Sequence, residues 1–500
     1  MASPKQASTA APAAVALDQE EDFRQVLKKK FRTRNDTVAE DQIAKAVESL
    51  VSEALKDETV VKSEVIDTIE GLIAQIDRKL TDQVNAIIHA EKFQQLESAW
   101  RGLNFLVMNS ETDANLKIRV LNVGKDELYR NLKLYPGARW DQSPLFKAVY
   151  ESEFGTLGGE PYGALIADYQ FSHRATDVQL LRDLSKISAS AMAPLITNAH
   201  PNLMRMDSWA ELMDPRDLSK VMDTPEYAAW RGLRDSEDSK YVALCLPRVL
   251  SRRPYGQKSE PVEEFAFEEE TGGHSSNNYA WMNAAYAMAV NINRAYKEYG
   301  WTVQIRGVES GGIVENLPTH EFPSDDGDID QKCPTEIAIT DRREGELSKA
   351  GLIALLHRKN TDKAAFIGAQ SAYKPKIFID DDATRSDDLA SKIPYMFAVS
   401  RFAHYLKCMV RDKIGALREK PELERWLNAW ITTYVTGDPK NASEEVKAQR
   451  PLAAARITVI PDELHPGQYA ANVYLRPHFQ LEGMDIGMSL VASLPPEPKS

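Results

Sequence analysis

Cysteine is scarce in this chain of 500 residues, which contains only Cys245, Cys333 and Cys408. The three are widely spaced and odd in number. A disulfide framework or a zinc site would need paired or clustered ligands, so neither is expected. This sparse use of cysteine favours a reducing, cytosolic setting.

Long hydrophobic runs are also missing. No stretch of 18 or more apolar residues occurs, so no membrane insertion is predicted. Residues 1–22 are rich in Ala, Ser and Pro, and they lack the basic start and solid apolar block of a secretory signal. We therefore expect residues 1–16 to form a disordered, flexible tail.

Positive charge is in deficit, because 61 Lys and Arg stand against 74 Asp and Glu, a formal net charge of −13. Nucleic-acid binding requires a basic surface that neutralises phosphates, so no nucleic-acid partner is expected. An acidic surface would instead suit a basic protein partner.

Sequence motifs of common enzyme classes are absent as well. There is no phosphate-binding loop, no dinucleotide-binding glycine motif, no nucleophile elbow and no H-E-x-x-H pair. The nine histidines are too far apart to match a zinc site. We therefore predict no catalytic residue, no cofactor and no metal ion.

Two segments come nearest to a catalytic or metal site. Residues 268–276 combine three glutamates with His274 and two serines, but a turn before a helix is the favoured interpretation. The second segment resembles a calcium loop, yet Gln331 and Ile337 stand where that loop needs a glycine and a bidentate glutamate. A solvated acidic loop is favoured there; its aspartates are Asp325, Asp326, Asp328 and Asp330.

What the chain does have is helical periodicity over its first hundred residues. A short amphipathic helix is predicted over 17–32, and Thr37 with Glu40 fits a capping box that opens a second helix. Helical spacing then continues to residue 108. We predict a helical N-terminal region at 17–110.

Strand and helix patterns alternate beyond this region. Strands are predicted at 116–123, 163–171 and 241–250, and a strongly apolar helix at 281–300. Such alternation indicates an α/β (mixed α+β) fold class with layered domains. We place the first of these domains at 111–320.

The pattern of residue types in the sequence changes again near residue 320. An acidic turn precedes a helix predicted from Asp341 through Leu356, and a strand at 374–380 and a helix at 394–417 follow. The chain then ends in strand-like segments. We predict a second domain at 321–500.

Two segments near the chain ends have interaction chemistry. A helix of about 15 residues is marginal alone, so the apolar stripe of 17–32 is expected to fill a partner's groove or to dock on its own protein. That stripe consists of Phe23, Val26, Leu27 and Phe31. The apolar segment 473–484 carries Pro477, which restricts it to a sheet edge or a linker. A strand at a chain end is suited to completing another subunit's sheet.

Four stretches carry a resemblance to a known family. They are HAEKFQQLESAWRGLNFLV (89–107), GALIADYQFSH (163–173), WMNAAYAMAVNINRAYKEYGW (281–301) and PGQYAANVYLRPHFQLEGMDIGMSLVASLP (466–495). With these stretches in the family's order, the chain resembles the large subunits of the type VI secretion contractile sheath, the TssC/VipB (EvpB-like) family. The resemblance implies a C-terminal domain similar to phage tail sheath proteins.

The same resemblance implies a structural role and a set of partners. Family members pair with a small sheath subunit (TssB/VipA-like), and the pairs polymerise helically around an inner tube of Hcp hexamers on a baseplate. Contraction drives the inner tube and its effectors outward, and the AAA+ unfoldase ClpV then disassembles the sheath. The setting would be the bacterial cytoplasm, with no enzymatic activity in this subunit.

Residue roles follow from the resemblance as hypotheses. ClpV would grip the stripe of Phe23, Val26, Leu27 and Phe31. The segment Tyr474–Leu481 would donate a strand to a neighbouring protomer, through Tyr474, Leu475, Phe479 and Leu481. The inner tube would face Asp341, Glu344 and Glu346, although carboxylates at a helix start also suit the helix dipole.

Two alternatives stay open at this point. A phage-type tail sheath protein would assemble without a small partner, and a cytosolic α/β enzyme with an unrecognised site would be monodisperse alone.

Overall fold

A computed structural model describes residues 65–478 and 480, apart from 215–216, 219, 274, 324–326, 414–419 and 462–468. Within this part of the chain, residues up to Val84 belong with Phe265–Phe267 to one compact unit. The rest, Asn85–Glu264 and the residues from Glu268 onward, forms the other. The predicted helices at 17–32 and after Thr37 lie outside the described residues, as does the predicted tail at 1–16.

Helices account for most of the regular structure. They are α1 (Val65–Ile88), α2 (Glu91–Met108), α3 (Lys125–Lys133), α4 (Ala175–Ala191), α5 (Ala228–Arg234), α6 (Ala284–Tyr299), α7 (Asp341–Lys349), α8 (Asp381–Ala390), α9 (Ile393–Asp412), α10 (Lys420–Thr432) and α11 (Glu444–Gln449). A helical turn at Pro144–Phe146 continues into a π-helix at Lys147–Phe154. Short 3₁₀ turns lie at Gly137–Gln142, Pro201–Met204, Trp209–Met213, Val221–Asp223, Pro225–Tyr227 and Glu237–Tyr241.

In the part of the chain that the structure describes, the strands form one large sheet and three two-stranded pairs. They are β1 (Leu165–Phe171), β2 (Leu195–Ala199), β3 (Val242–Leu246), β4 (Val249–Leu250), β5 (Trp281–Met282), β6 (Ile313–Val314), β7 (His320–Pro323), β8 (Ile329–Lys332), β9 (Ile353–His357), β10 (Ala364–Phe366), β11 (Leu452–Pro461) and β12 (Tyr469–Pro477). The large sheet has the order β1-β2-β3-β9-β10-β6, with β1, β2, β3 and β9 parallel and the other pairings antiparallel. The small pairs are β4–β5, β7–β8 and β11–β12.

The large sheet lies between two hydrophobic cores. Successive residues of β3 enter them alternately: Val242 and Leu244 pack into a core with α4, and Ala243 and Cys245 pack into a core with α6. Because all five residues of β3 are buried, apolar side chains occupy both of its faces, as expected for a parallel strand covered by helices. The layered α/β class predicted from the sequence is thereby confirmed.

A third core lies in the C-terminal part of the chain. It is built from Trp301 and Val303, the helices α9 and α10, and strand β11. The Trp301 ring stacks on Phe402 of α9 with centroids 4.4 Å apart. Helix α9 belongs to two cores, since Ile393 and Phe397 pack beneath the large sheet and Phe402 packs here.

Three predicted elements differ in the structure. Residues 116–123 and 374–380 form no strand, although both have strand-like sequences. The helix from Asp341 ends at Lys349, because Gly351 adopts φ +81° and the apolar run Ile353–His357 enters the sheet as β9. The large sheet draws β9 and β10 from beyond residue 320, so it crosses the division predicted at 320/321.

Candidate assembly surfaces

Helix α2 has two apolar faces, and the described residues cover only one of them. Leu106 and Leu103 pack with Tyr286 and Val290 of α6. The other face carries large apolar side chains that are exposed: Phe93, Leu96, Trp100 and Val107. Their spacing of three, four and seven residues aligns them in one stripe along the helix. A tryptophan that is 66% exposed at the centre of such a stripe indicates a contact with another protein.

A buried ion network fastens α2 beneath this stripe. The Arg252 guanidinium pairs with Glu97 of α2 at 2.6 Å and with Glu269, whose side chain is almost fully buried, at 2.5 Å. Arg101 also binds Glu97, at 2.7 Å. Burial raises the pKa of Glu97, but hydrogen bonds and charge from Arg252 and Arg101 outweigh burial and lower it. The network fixes the helix, so the stripe is held on a rigid support.

The β11–β12 hairpin has one closed edge and one open edge. On the β11 side, the Asn428 side chain donates to Ile457 O and accepts from Ile457 N–H, and Glu424 accepts from Val459 N–H. Ile457 pairs with Val473, and Val459 pairs with Ala471. Since the amides of Ile457 and Val459 point away from β12, those of Val473 and Ala471 point away from β11. Among the described residues, β11 is the only strand that pairs with β12.

The predicted linking segment begins inside this hairpin. Tyr474 pairs with Arg456 and is exposed, whereas Leu475 pairs with Ala455 and packs against the third core. Beyond β12, His478 N–H donates to Pro451 O, and the Gln480 side chain donates to Val303 O. This part of the segment is therefore held by its own chain. Phe479 and Leu481 lie outside the described residues.

Helix α7 presents the three predicted carboxylates unequally. Thr340 caps it by accepting from Arg343 N–H at 3.5 Å. Asp341 in the first turn is exposed, but Glu344 and Glu346 are half-buried. Glu346 is bound by Arg343 at 2.6 Å and by Arg342 at 3.2 Å. The structure brings the three residues onto one helix and leaves Asp341 as its freest acidic group.

The candidate catalytic segments have structural roles where they are described. Glu269 neutralises Arg252, and Ser276 Oγ donates to Glu336 O. His274, Asp325 and Asp326 lie outside the described residues. No grouping of His, Cys, Asp and Glu suited to a metal ion is found in the part of the chain that the structure describes. Nor do the described helices include one with the length and apolar character needed to cross a membrane.

Models of known protein families match most of the chain. The model of the EvpB/VC_A0108 tail sheath N-terminal domain matches residues 70–373, and that of the EvpB/VC_A0108 tail sheath gpW/gp25-like domain matches residues 382–494. The first match alone covers more than half of the chain. The chain belongs to the EvpB/VC_A0108 tail sheath family.

A relative from this sheath family agrees over nearly the full length. The type VI secretion system sheath protein TssC1 of Pseudomonas aeruginosa (strain PAO1) is 56% identical over 478 residues, which is 96% of each chain. The predicted family is thus confirmed, and the chain is a structural subunit of the contractile type VI secretion sheath.

Two solved structures of the anti-feeding prophage show low overall similarity to this chain. The anti-feeding prophage baseplate structure has a TM-score of 0.39 at 12% identity and covers 76% of this chain and 84% of that one. The contracted helical sheath of the same prophage has a TM-score of 0.30 at 12% identity, with 63% and 75% covered.

The exposed stripe on α2 was not predicted as a site, although its residues lie within the stretch 89–107 that carries the resemblance. Its signal is present in the sequence as a second apolar stripe on a helix that already has one. A helix with two apolar stripes needs two partners.

Proposed function

We propose that this sheath-family chain is the large subunit that co-assembles with a small sheath subunit into a tube around Hcp. Its contraction in the bacterial cytoplasm would propel the tube and its effectors outward, and the subunit would supply no catalysis. The observation that carries the proposal is the uncovered apolar stripe of α2, held on a rigid, ion-paired support.

The stripe suits a helix of the small subunit. Apolar residues three, four and seven positions apart match the contact pattern of one helix packed along another. Trp100 lies at the middle of the stripe, where a large aromatic side chain contributes most to affinity. The acidic balance of the whole chain does not explain this surface, since the stripe itself is apolar.

Co-expression with the small subunit tests the proposal. Leu96→Glu with Trp100→Glu should abolish co-purification and tube formation seen by electron microscopy. Leu157→Glu is the matched control, because Leu157 is 73% exposed yet lies off the stripe. Tubes that form normally with the stripe variant would contradict the proposal. Tubes formed by the chain without any partner would favour a phage-type sheath protein instead.

The open edge of β12 supports a second role, the link to a neighbouring protomer. A strand from another chain can add there through main-chain hydrogen bonds, and these persist while packed side-chain faces exchange during contraction. Tyr474 and Leu475, followed by Phe479 and Leu481, would form this link. Deleting residues 474–500 should permit pairing with the small subunit but prevent tubes.

Disassembly by ClpV would act on the N-terminal helix at 17–32. The proposal rests on the apolar stripe of Phe23, Val26, Leu27 and Phe31, and on family membership. Changing Phe23 and Leu27 to Asp should leave assembly intact and abolish unfoldase binding, as measured by pull-down. Unchanged binding would assign recognition to another segment.

The subunit would contact the inner tube through α7. The polymer would contact the baseplate at one of its ends. Because Glu346 is already bound by two arginines, Asp341 would supply the acidic contact, with Glu344 beside it. This contact would account for attraction to basic groups on Hcp.

A further inference from the structure

Residues 374–379 (Lys-Pro-Lys-Ile-Phe-Ile) form an unpaired edge on the surface of the larger unit. The chain shows no turn or bend from 373 to 378 and bends at 379 and 380 before α8, yet it joins no sheet. Ile377 is 91% exposed, Phe378 45% and Ile379 107%. Three adjacent large apolar side chains in water are costly, which makes this segment an interaction surface.

The backbone amides of this segment alternate as in a strand at the edge of a sheet. Lys374 N–H donates to Arg234 O at 3.0 Å, Lys376 N–H to Asp387 Oδ2 at 2.8 Å, and Phe378 N–H to Thr384 Oγ1 at 2.9 Å. Within the part of the chain that the structure describes, the amides of Ile377 and Ile379 have no hydrogen-bond partner. One edge is therefore satisfied by the protein, and the other is open.

The segment is held firmly in this exposed position. Buried Tyr373 donates its hydroxyl to Asp387 Oδ2 at 2.9 Å, and Lys240 binds the other oxygen of Asp387, also at 2.9 Å. Glu237 binds Lys376 at 2.9 Å. Hydrogen bonds from Lys240 and Lys376 lower the pKa of Glu237. Little ordering entropy would remain to be lost on binding.

The sequence of the segment is complementary to itself. In an antiparallel pair centred on Phe378, Ile377 of one copy faces Ile379 of the other, and Lys376 faces Asp380. The side chain of Lys374, which binds no described residue, then approaches the acidic first turn of α8, which contains Asp381 and Asp382. Ile377 and Ile379 carry the two open amides, so this register makes them the hydrogen-bonded pairs and Phe378 the closer, non-bonded pair. Backbone, apolar and charged groups agree on one register.

We propose that two copies of this chain pair through residues 374–379 as antiparallel edge strands centred on Phe378. Such a contact is two-fold symmetric, whereas the copies in a helical sheath are related head to tail. The pairing therefore belongs to copies outside the sheath, a point that rests on the proposed function. The pair would hold unassembled subunits in a form that assembly must open.

Single cysteines test the register in the full-length chain before the small subunit is added. Phe378→Cys should form a disulfide dimer on mild oxidation, because its two Cα atoms would lie about 4.5 Å apart. Ile379→Cys should not, since its two copies are offset beyond the roughly 7 Å that a disulfide spans. An equal mixture of Ile377→Cys and Ile379→Cys should link the two variants. The wild-type chain controls for its native cysteines.

If cross-links arose from random collisions between subunits, Ile379→Cys would cross-link more strongly than Phe378→Cys, because Ile379 is more exposed than Phe378. Cross-linking of Ile379→Cys at least as strong as that of Phe378→Cys would overturn the proposal. Ile379→Lys should weaken dimerisation on the order of tenfold in sedimentation velocity, and an unchanged dimer would overturn it too. Both readouts precede assembly, so they are independent of whether the small subunit binds α2.

Discussion

Gly102 of α2 lies so close to Tyr286 of α6 that a Cβ atom at Gly102 would be 2.3 Å from the tyrosine ring. The absence of a side chain is what allows the two helices to approach here. Tyr286 is itself buried and packs with Leu106 and Val290. The position of the exposed stripe on α2 therefore depends on a glycine on the opposite side of that helix.

Gly102→Ala should lower the unfolding free energy by about 1–3 kcal/mol, because the methyl group overpacks the helix contact. Urea unfolding followed by circular dichroism measures the change. Gly345→Ala is the matched control. It is also helical, has no atom within 4 Å of the added carbon, and should stabilise the chain by up to about 1 kcal/mol. Equal effects of the two substitutions would contradict this account of α2.

Arg252→Met should cost about 3–5 kcal/mol, since it removes the arginine partner of the buried Glu269 and leaves Glu97 with Arg101 alone. Adding Glu97→Gln and Glu269→Gln to Arg252→Met should recover a large part of the loss. Arg205→Met removes an exposed pair with Glu226 at 2.6 Å and should change stability by less than about 1 kcal/mol. Chemical unfolding of the variants compares them, and a mild effect of Arg252→Met would mean that water reaches the network.

His404 should make the fold less stable in acid. It is buried, its Nε2 donates to Ala191 O, and burial lowers its pKa from 6.5 to about 4. The unfolded chain thus binds the proton more readily, so stability is full above pH 6.5 and falls as the pH drops towards 4, by about 3 kcal/mol at most. Melting temperatures across this range should depend less on pH for His404→Gln than for the wild type. If the melting temperatures of the two proteins fell equally with pH, His404 would not be the cause of the acid sensitivity.

Two carboxylates of α7 should differ in their mutational effects: Asp341 should affect assembly, and Glu346 should affect stability. Asp341→Lys should leave the melting temperature within a few degrees of the wild type but reduce tube assembly around Hcp. Glu346→Lys should lower the melting temperature, because it places a third positive charge beside Arg342 and Arg343. Normal assembly by Asp341→Lys would remove α7 from the inner-tube surface.

The sequence predicted the fold class where periodicity decides structure. Strand β1 was expected from 163–171 and α6 from 281–300, because their apolar patterns can be satisfied only inside a core. The helix predicted from Asp341 was too long. The apolar run of β9 fits a buried helix as well as a buried strand, so only Gly351 indicates where the helix ends.

Segments with strand-like patterns but no strand partner could not be recognised from the sequence. Residues 116–123 alternate in polarity like a strand and residues 374–380 contain a strand-like apolar run, but pairing depends on which backbone edge lies beside them. The stripe on α2 was missed for a related reason. Periodicity shows that a face is apolar, but not whether the fold covers it, and Trp100 reads like a core residue until the packing of α6 is known.

Helix α9 gives the chain a path for mechanical tension. Strand β12 is bonded to β11, which packs in the third core with Phe402 of α9. Ile393, at the start of the same helix, lies beneath the large sheet. A pull on the open edge of β12 therefore reaches the central sheet through one continuous helix, with no flexible joint between the two cores. When a neighbouring subunit is displaced, the two cores joined by α9 would therefore move together rather than independently.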